Sequence, residues 1–321
     1  MIAPRVSIAM ATYNGGPYIA EQLASFVAQH RQPDELVVCD DGSSDDTVEQ
    51  IERFAQTAPF AVRIARNAER LGYSDNFAKA ISLCSGDIIF ISDQDDRWFA
   101  TKIATVERKL QERPDLLMVV NDQEIVENGE ALGTTIFRNN RRMGVAESEF
   151  SAGSCTALRQ EFREIVLPIP KGVAYDAWIG LLGHYLGVKG LIDESLQIYR
   201  RHGGNATDPV AAGRSASALT LVSRFGLADA HDGWQRHIER LALFEQRIRD
   251  RDETVAALAG PGAAARALRL IAEEKQRFVR RLDLLAYPRL RRLPRIISLW
   301  GRGFYAPFFG YKSAIKDMIR P

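Results

Sequence analysis

The sequence predicts an α/β fold built on a mostly parallel sheet covered by helices, and three observations carry that expectation. In the first half of the chain short apolar runs alternate with amphipathic segments at helical spacing. Two acidic clusters, Asp40-Asp41-Gly42-Ser43 and Ser92-Asp93-Gln94-Asp95-Asp96, each directly follow such a run. The carboxyl ends of parallel strands are where open α/β sheets gather their ligands. At 321 residues the chain also has room for one large domain and an appendage.

The elements follow in order. Val6 to Ala11 reads as a strand, and a helix from Pro17 to about Gln29 comes next, with proline in the first turn where its missing N–H does no harm. Leu36 to Cys39 is a second strand, and a helix over Thr47 to Gln56 starts behind Ser44, Asp45 and Asp46, which suit its cap. A third strand spans Val62 to Ala65. A helix over Ser74 to Cys84 places Phe77, Ala80, Ile81 and Cys84 on one face, and a fourth strand covers Ile88 to Ile91. The expected division is an α/β domain over 1–207, in two parts, 1–120 and 121–207, then a helical region over 208–321.

A formal charge of +1 argues against a nucleic-acid partner, whose phosphates call for a basic excess. Cys39, Cys84 and Cys155 are odd in number and form no C-x-x-C pair, so they read as reduced, buried residues of a cytoplasmic protein. The expectation is no signal peptide ahead of the first strand and no bilayer-spanning run.

Crowded carboxylates repel one another and lose solvation unless a cation or a hydrogen-bonding ligand compensates them. A divalent ion with a sugar nucleotide would do so, Asp95 holding the metal and Asp40 and Asp41 accepting hydrogen bonds from the base. Turn and cap residues are the plainer alternative. The turn after the first strand, Thr12-Tyr13-Asn14-Gly15-Gly16, contains no G-x-G-x-x-G, and no G-x-x-x-x-G-K-[ST] phosphate loop occurs. A diphosphate must then be neutralised by a metal or by basic side chains. His202 follows Arg200 and Arg201 in Tyr199-Arg200-Arg201-His202-Gly203-Gly204-Asn205, a setting suited to a metal or a diphosphate.

Val6 to Asn14, Leu36 to Asp46 and Gly86 to Trp98 together resemble the nucleotide-sugar domain of family 2 glycosyltransferases, inverting enzymes of the GT-A fold. Gly153 to Ala157, Tyr175-Asp176-Ala177-Trp178 and Tyr199 to Asn205 are similar, in order and spacing, to its bacterial rhamnosyltransferase-like branch in surface polysaccharide synthesis. The resemblance spans roughly residues 5–207, with a weaker echo at 311–320. It implies Thr12, Asp40 and Asp41 around the nucleobase, Asn76 near the nucleotide, Asp93 at the ribose and Asp95 on magnesium or manganese. The extra acid, Asp96, leaves open which carboxylate ligates and which pairs with a neighbour. Asp176 fits the catalytic base, a helix cap being its other use. Trp98 and Trp178 read as acceptor-side rings or as core aromatics. The implied donor is dTDP-rhamnose, or a UDP-sugar such as galactose or N-acetylglucosamine, and the implied acceptor a lipid-linked glycan. A non-catalytic sugar-nucleotide binding subunit has no reason to keep Asp95, Asp176 and His202 together.

Residues 211–286 are rich in Ala, Leu, Arg and Glu at helical spacing, broken at Ala259-Gly260-Pro261-Gly262. Beyond Tyr287, eight basic residues against one acid, Asp317, are interleaved with Trp300, Phe304, Tyr305, Phe308, Phe309 and Tyr311. That mixture suits an anionic membrane surface, the inner face of the cytoplasmic membrane; packing on the catalytic domain or a homodimer contact is the alternative.

Overall fold

The computed structural model of the chain describes residues 3–203, 230–306, 308 and 310–320. It divides into two units, 1–216 with 253–261 and 217–252 with 262–321. The expected boundary near 207, Gly204 and Asn205 of the last motif, and residues 211–229 of the first helical stretch all fall outside the described residues.

The first unit is built on strands β1 (Val6–Thr12), β2 (Glu35–Asp40), β3 (Ala61–Arg66) and β4 (Ile88–Ser92), alternating with helices α1 (Gly16–Val27), α2 (Thr47–Ala55) and α3 (Tyr73–Leu83). These four strands are parallel neighbours in the order β3-β2-β1-β4. Their composition explains their depth: β2 and β4 are buried along their whole length, whereas edge strand β3 alternates exposed and half-buried residues. Helix α1 turns Ile19, Leu23 and Phe26 inward at helical spacing, and they join Ile8, Met10, Val38 and Phe90 in one core.

Beyond β4 the sheet is mixed. The remaining elements are β5 (Arg97–Trp98), α4 (Lys102–Glu112), β6 (Met118–Glu127), β7 (Glu130–Thr135), α5 (Ile136–Met143), β8 (Thr156–Arg159), α6 (Arg163–Val166), α7 (Tyr175–Leu186) and β9 (Lys189–Arg201). Strand order continues β4-β8-β6-β9-β5, with β7 paired to β6. Strands β6 and β9 are parallel, but β8 runs antiparallel to β4 and β6, and β5 antiparallel to β9. The parallel βα pattern read from the sequence therefore covers the first half, and the second half adds antiparallel pairs. The mixed half has a use: Arg97 pairs with Ile198, so β9 carries the Tyr199 to His202 segment back to the turn that holds Asp93 and Asp95.

The second unit contains α8 (Ala230–Asp250), α10 (Ala263–Leu285), α11 (Arg289–Gly301) and α12 (Tyr311–Ile319), while α9 (Asp252–Ala259) belongs almost wholly to the first. The expected break at 259–262 is present, with Gly260 and Gly262 at positive φ. Helix α8 packs along α10. A small core of Leu284, Ile296, Tyr305 and Ala314, with Phe304 and Phe308 against it, closes the unit. Three aromatics of the supposed membrane-facing tail thus serve this core; Phe309 lies outside the described residues. No single helix among the described residues is long and apolar enough to cross a membrane.

Candidate functional site

The order β3-β2-β1-β4 makes the chain leave β1 and β4 in different directions, and a crevice opens above their carboxyl ends. The side chain of Gln94 fastens its two lips. Its Oε1 accepts the Tyr13 N–H at 2.9 Å and its Nε2 donates to the Tyr13 carbonyl at 3.0 Å. Into this crevice opens a cleft of about 250 Å³, lined by Thr12, Tyr13, Asp41, Arg70, Asn76, Asp93, Asp95, Gly153, Tyr175, Asp176 and Tyr199.

The two members of the first acidic pair have different jobs. Asp40 accepts from Thr12 Oγ1 at 2.9 Å, from Ser43 Oγ at 2.5 Å, and from the N–H groups of Gly42 and Ser43 at 3.1 and 2.9 Å. Its carboxylate is used up shaping its own turn and is not part of the cleft wall, so its expected contact with the base is corrected to a turn-forming role. Asp41 does line the cleft. It accepts from Asn67 Nδ2 at 2.8 Å and from the N–H groups of Leu71 and Gly72 at 2.7 and 2.8 Å, holding the Arg70-bearing loop against β2. Asn76 stands beside it, buried, accepting from Asn67 Nδ2 at 2.9 Å and donating to the Cys39 carbonyl at 2.9 Å.

The second cluster meets a histidine 107 residues away: His202 Nε2 lies 2.9 Å from Asp95 Oδ2, and its ring stacks on Tyr18 with centroids 4.2 Å apart. Burial raises the Asp95 carboxyl above its usual range although His202 opposes the shift. Burial also raises Asp93, with the charges of Asp96 and Asp95 adding to it, and pushes Asp96 up to about 7. Three carboxylates held this way favour a cation nearby. Among the described residues no three His, Cys, Asp or Glu side chains form a ready metal cage. A hard divalent ion that binds a diphosphate needs only one or two protein ligands, the rest being phosphate oxygens and water, so Asp95 with His202 fits it. Asp96 answers the open question of the extra acid: it is buried behind the turn, accepting from Gln197 Nε2 at 2.7 Å, and pairs with neighbours.

Asp176 lies in the first turn of α7 and opens onto the cleft and onto a second cavity of about 320 Å³. Gln123, Asn140, Met143, Glu149 and Tyr199 line that cavity, which also reaches Asp93 and Gly153. Asp176 Oδ1 accepts the N–H of its neighbour Ala177 at 2.8 Å. The helix start does favour its ionised form, yet burial outweighs that and raises its carboxyl.

Other expectations need correction. Trp98 is buried between Phe26 and Phe90, and Trp178 is sealed in the interior with its indole N–H donating to the Val166 carbonyl at 2.8 Å. Neither forms an acceptor wall, because each ring is consumed by the core of the sheet or of α7. Arg200 pairs with Glu21 and lies over the Tyr18 ring, and Arg201 pairs with Glu127. Each guanidinium pairs with a carboxylate and neither is among the described residues that line the cleft, although the charge of Arg200 acts on Asp95. Among the described residues that line the cleft the basic one is Arg70, its guanidinium 3.9 Å from the centre of the Tyr13 ring. The sequence alone assigned no role to Arg70 or Lys102, and Tyr175 entered only as part of its motif. The signal for Arg70 was its place directly before Leu71-Gly72, where Asp41 grips the chain.

Residues 7–165 match the family described as Glycosyl transferase family 2. An uncharacterized glycosyltransferase of Nostoc sp. is 26% identical over 238 residues, which is 70% of this chain and 72% of that protein. The dTDP-rhamnosyl transferase RfbG of Shigella flexneri is 37% identical over 98 residues, 29% of this chain and only 34% of the enzyme. Among solved structures, a mannosyltransferase from Pyrobaculum calidifontis in complex with GDP-Man and manganese has a TM-score of 0.51 at 19% identity, over 100% of this chain and 86% of that one. With the motif order, the strand order and the cleft already in place, the match at 7–165 identifies this chain as one that carries a glycosyl transferase family 2 domain on the GT-A fold.

Proposed function

We propose that the chain is an inverting glycosyltransferase that moves a sugar from a nucleoside diphosphate to a hydroxyl of a lipid-linked glycan, in the synthesis of a cell-surface polysaccharide. The observation that carries this reading is the place of Asp176, shared by two adjoining cavities, one of which also holds Asp93 and Asp95. The nucleotide sugar occupies the cleft, with Thr12, Asp41 and Asn76 on the base side and Asp93 toward the ribose. Its diphosphate points to Asp95 and His202, which would hold magnesium or manganese; that ion supplies charge neutralisation for the leaving diphosphate. Arg70, exposed at the cleft beside the Tyr13 ring, would supply a positive charge to the same anion.

The acceptor occupies the second cavity, where Gln123, Asn140 and Glu149 offer hydrogen bonds to hydroxyls and Met143 offers an apolar face. Its attacking oxygen approaches the anomeric carbon from the side away from the diphosphate. As that bond forms, the bond to the diphosphate oxygen breaks with inversion, and the proton passes to Asp176. A raised carboxyl suits a base better than an ordinary aspartate, because it holds the accepted proton more firmly.

The leading donor is dTDP-rhamnose, supported by the likeness to the Shigella enzyme. A UDP-sugar is the second reading, since uracil presents the same N3–H as thymine. A lipid-linked acceptor puts the work at the inner face of the cytoplasmic membrane.

Asp176→Asn tests the assignment, for it keeps size and most hydrogen bonds but accepts no proton. Donor binding should persist while turnover falls about 100-fold or more. In the unaltered protein the base must be ionised, so activity falls as pH drops through its pKa. Because burial raises that pKa, the acidic limb of the rate profile should lie above the range of an ordinary aspartate. Asp95→Ala should abolish the gain in donor affinity on adding manganese. Unchanged turnover in the first variant places the base elsewhere; an unchanged manganese effect in the second removes Asp95 from the metal.

A further inference from the structure

Helix α11 is fixed in the second unit by one buried side chain. The Arg292 guanidinium donates to the carbonyls of Tyr287 and Arg320, both at 2.6 Å, and of Leu285 at 2.7 Å. Ile296, one turn on, joins the small core, and Leu299 packs against it. Arg292, Ile296 and Leu299 therefore define the inner side of the helix, and its rotation about its own axis is set.

The outer side is apolar. Leu290, Leu293, Ile297 and Trp300 recur at three- and four-residue steps and form one stripe down the exposed face. They are 91%, 46%, 58% and 57% exposed. A surface helix of a soluble protein turns such a stripe inward. Here Arg289 flanks it on one side and Arg291 and Arg295 on the other, all exposed. Asp317, the single acid after Tyr287, is buried elsewhere.

We propose that this face of α11 is a membrane-contact surface, seated in the headgroup layer of an anionic phospholipid bilayer. The proposal rests on the reading of a lipid-linked acceptor and names the side chains that would meet the membrane. A helix lying in the interface needs an apolar stripe for the acyl boundary and cations beside it for lipid phosphates, and α11 supplies both. A second copy fits this face poorly. Four side chains of about 200 Å² each, exposed by roughly 60% on average, offer about 500 Å², short of the ~800 Å² per partner that a stable dimer buries. A symmetric contact would also bring two sets of arginines together.

The chain carries its own reporter. Of its four tryptophans, Trp98, Trp178 and Trp234 are buried, and only Trp300 is exposed. Adding vesicles of phosphatidylcholine with about 30% phosphatidylglycerol to the full chain should shift Trp300 emission to the blue. Brominated lipid should quench it, and Trp300→Phe should abolish both signals. Leu290→Glu/Ile297→Glu alters only exposed positions, so its melting temperature should stay unchanged while vesicle affinity falls about tenfold or more. Arg289→Glu/Arg291→Glu should lose a similar factor, and vesicles of phosphatidylcholine alone should bind weakly to every form. Binding of UDP or dTDP, measured in parallel, should be the same in all variants, which separates failure of this surface from failure of the enzymatic reading. Vesicle binding without quenching of Trp300, undiminished binding by the double-Glu variant, or a dimer that this variant turns into monomer would each overturn the proposal.

Discussion

Lys102 keeps its ammonium group away from water directly behind the acidic turn. It donates to the Ser154 carbonyl at 2.7 Å and to Gln197 Oε1, and lies 4.0 Å from the centre of the Trp98 ring. Gln197 passes the contact on to Asp96 at 2.7 Å, so a buried cation and a buried carboxylate face each other through one amide. Burial lowers the lysine to about 8 and raises Asp96 to about 7. Removing one partner of such a pair strands the other, and Lys102→Met should cost about 3–5 kcal/mol of folding stability. Adding Asp96→Asn should return part of that loss, because the two effects are coupled. The penalty depends on pH. A raised carboxyl favours folding while protonated and loses that advantage as pH rises from about 4 through 7; a depressed lysine favours folding while neutral and loses that as pH falls through about 8. Without the lysine, Asp96 rises further, so the Lys102→Met penalty should be smaller at pH 5 than at pH 8. Strictly additive variants, or a penalty independent of pH, would break the proposed link. None of this was legible beforehand, since a lysine in an amphipathic helix reads as a solvated residue and its partner lies 95 positions away.

Elements whose signals are local were legible. Strands β1 to β4 are apolar runs of fixed length bounded by turn residues, and each lies within one or two residues of its expected place. The antiparallel half was not, because a partner strand is chosen by long-range packing and leaves no mark on the strand itself. The Gly153-Ser154-Cys155-Thr156-Ala157 motif was visible, but its reason appears only in the packing. A Cβ on Gly153 would come within 1.7 Å of the Tyr175 hydroxyl and 2.4 Å of its ring carbon. That ring is buried and stacks on Phe77 at 4.2 Å, so it has little room to retreat, and Tyr175 is the first residue of α7, next to Asp176. Gly153→Ala should therefore push the first turn of α7 away from the cleft. Overpacking of this kind costs about 1–3 kcal/mol of stability, and a small displacement of the base costs turnover, here expected to fall at least about tenfold. Nucleotide affinity should change less than turnover. Equal turnover in the variant would mean that Tyr175 moves freely and that the glycine serves only its own turn.

On the scale of the molecule, the C-terminal residues are not an appendage to the chemistry but part of a second folded core. Asp317, fully buried, accepts two N–H groups of Arg281 at 2.8 and 2.7 Å, one of Arg320 at 3.0 Å and the Tyr305 hydroxyl at 3.2 Å. The Arg281 guanidinium lies in turn 4.1 Å from the centre of the Trp234 ring and 4.5 Å from that of Phe308. Cutting the chain after Tyr287 would strand Arg281 in an opened core, which makes truncation a poor probe of function. Asp317→Asn is cleaner: it leaves the buried Arg281 and the half-buried Arg320 facing a neutral amide and should cost the second unit about 3–5 kcal/mol. The proposed nucleotide residues and the described linings of both cavities lie within the first unit. Each unit having its own core, calorimetry should resolve two transitions. Nucleotide with manganese at a hundred times its dissociation constant should raise one of them, by about 2.7 kcal/mol of stability, and Asp317→Asn should lower the other. A single transition moved by both would mean that the units unfold as one. In that case the C-terminal helices contribute to the stability of the catalytic cleft, and nucleotide affinity should fall in Asp317→Asn as the temperature nears the transition.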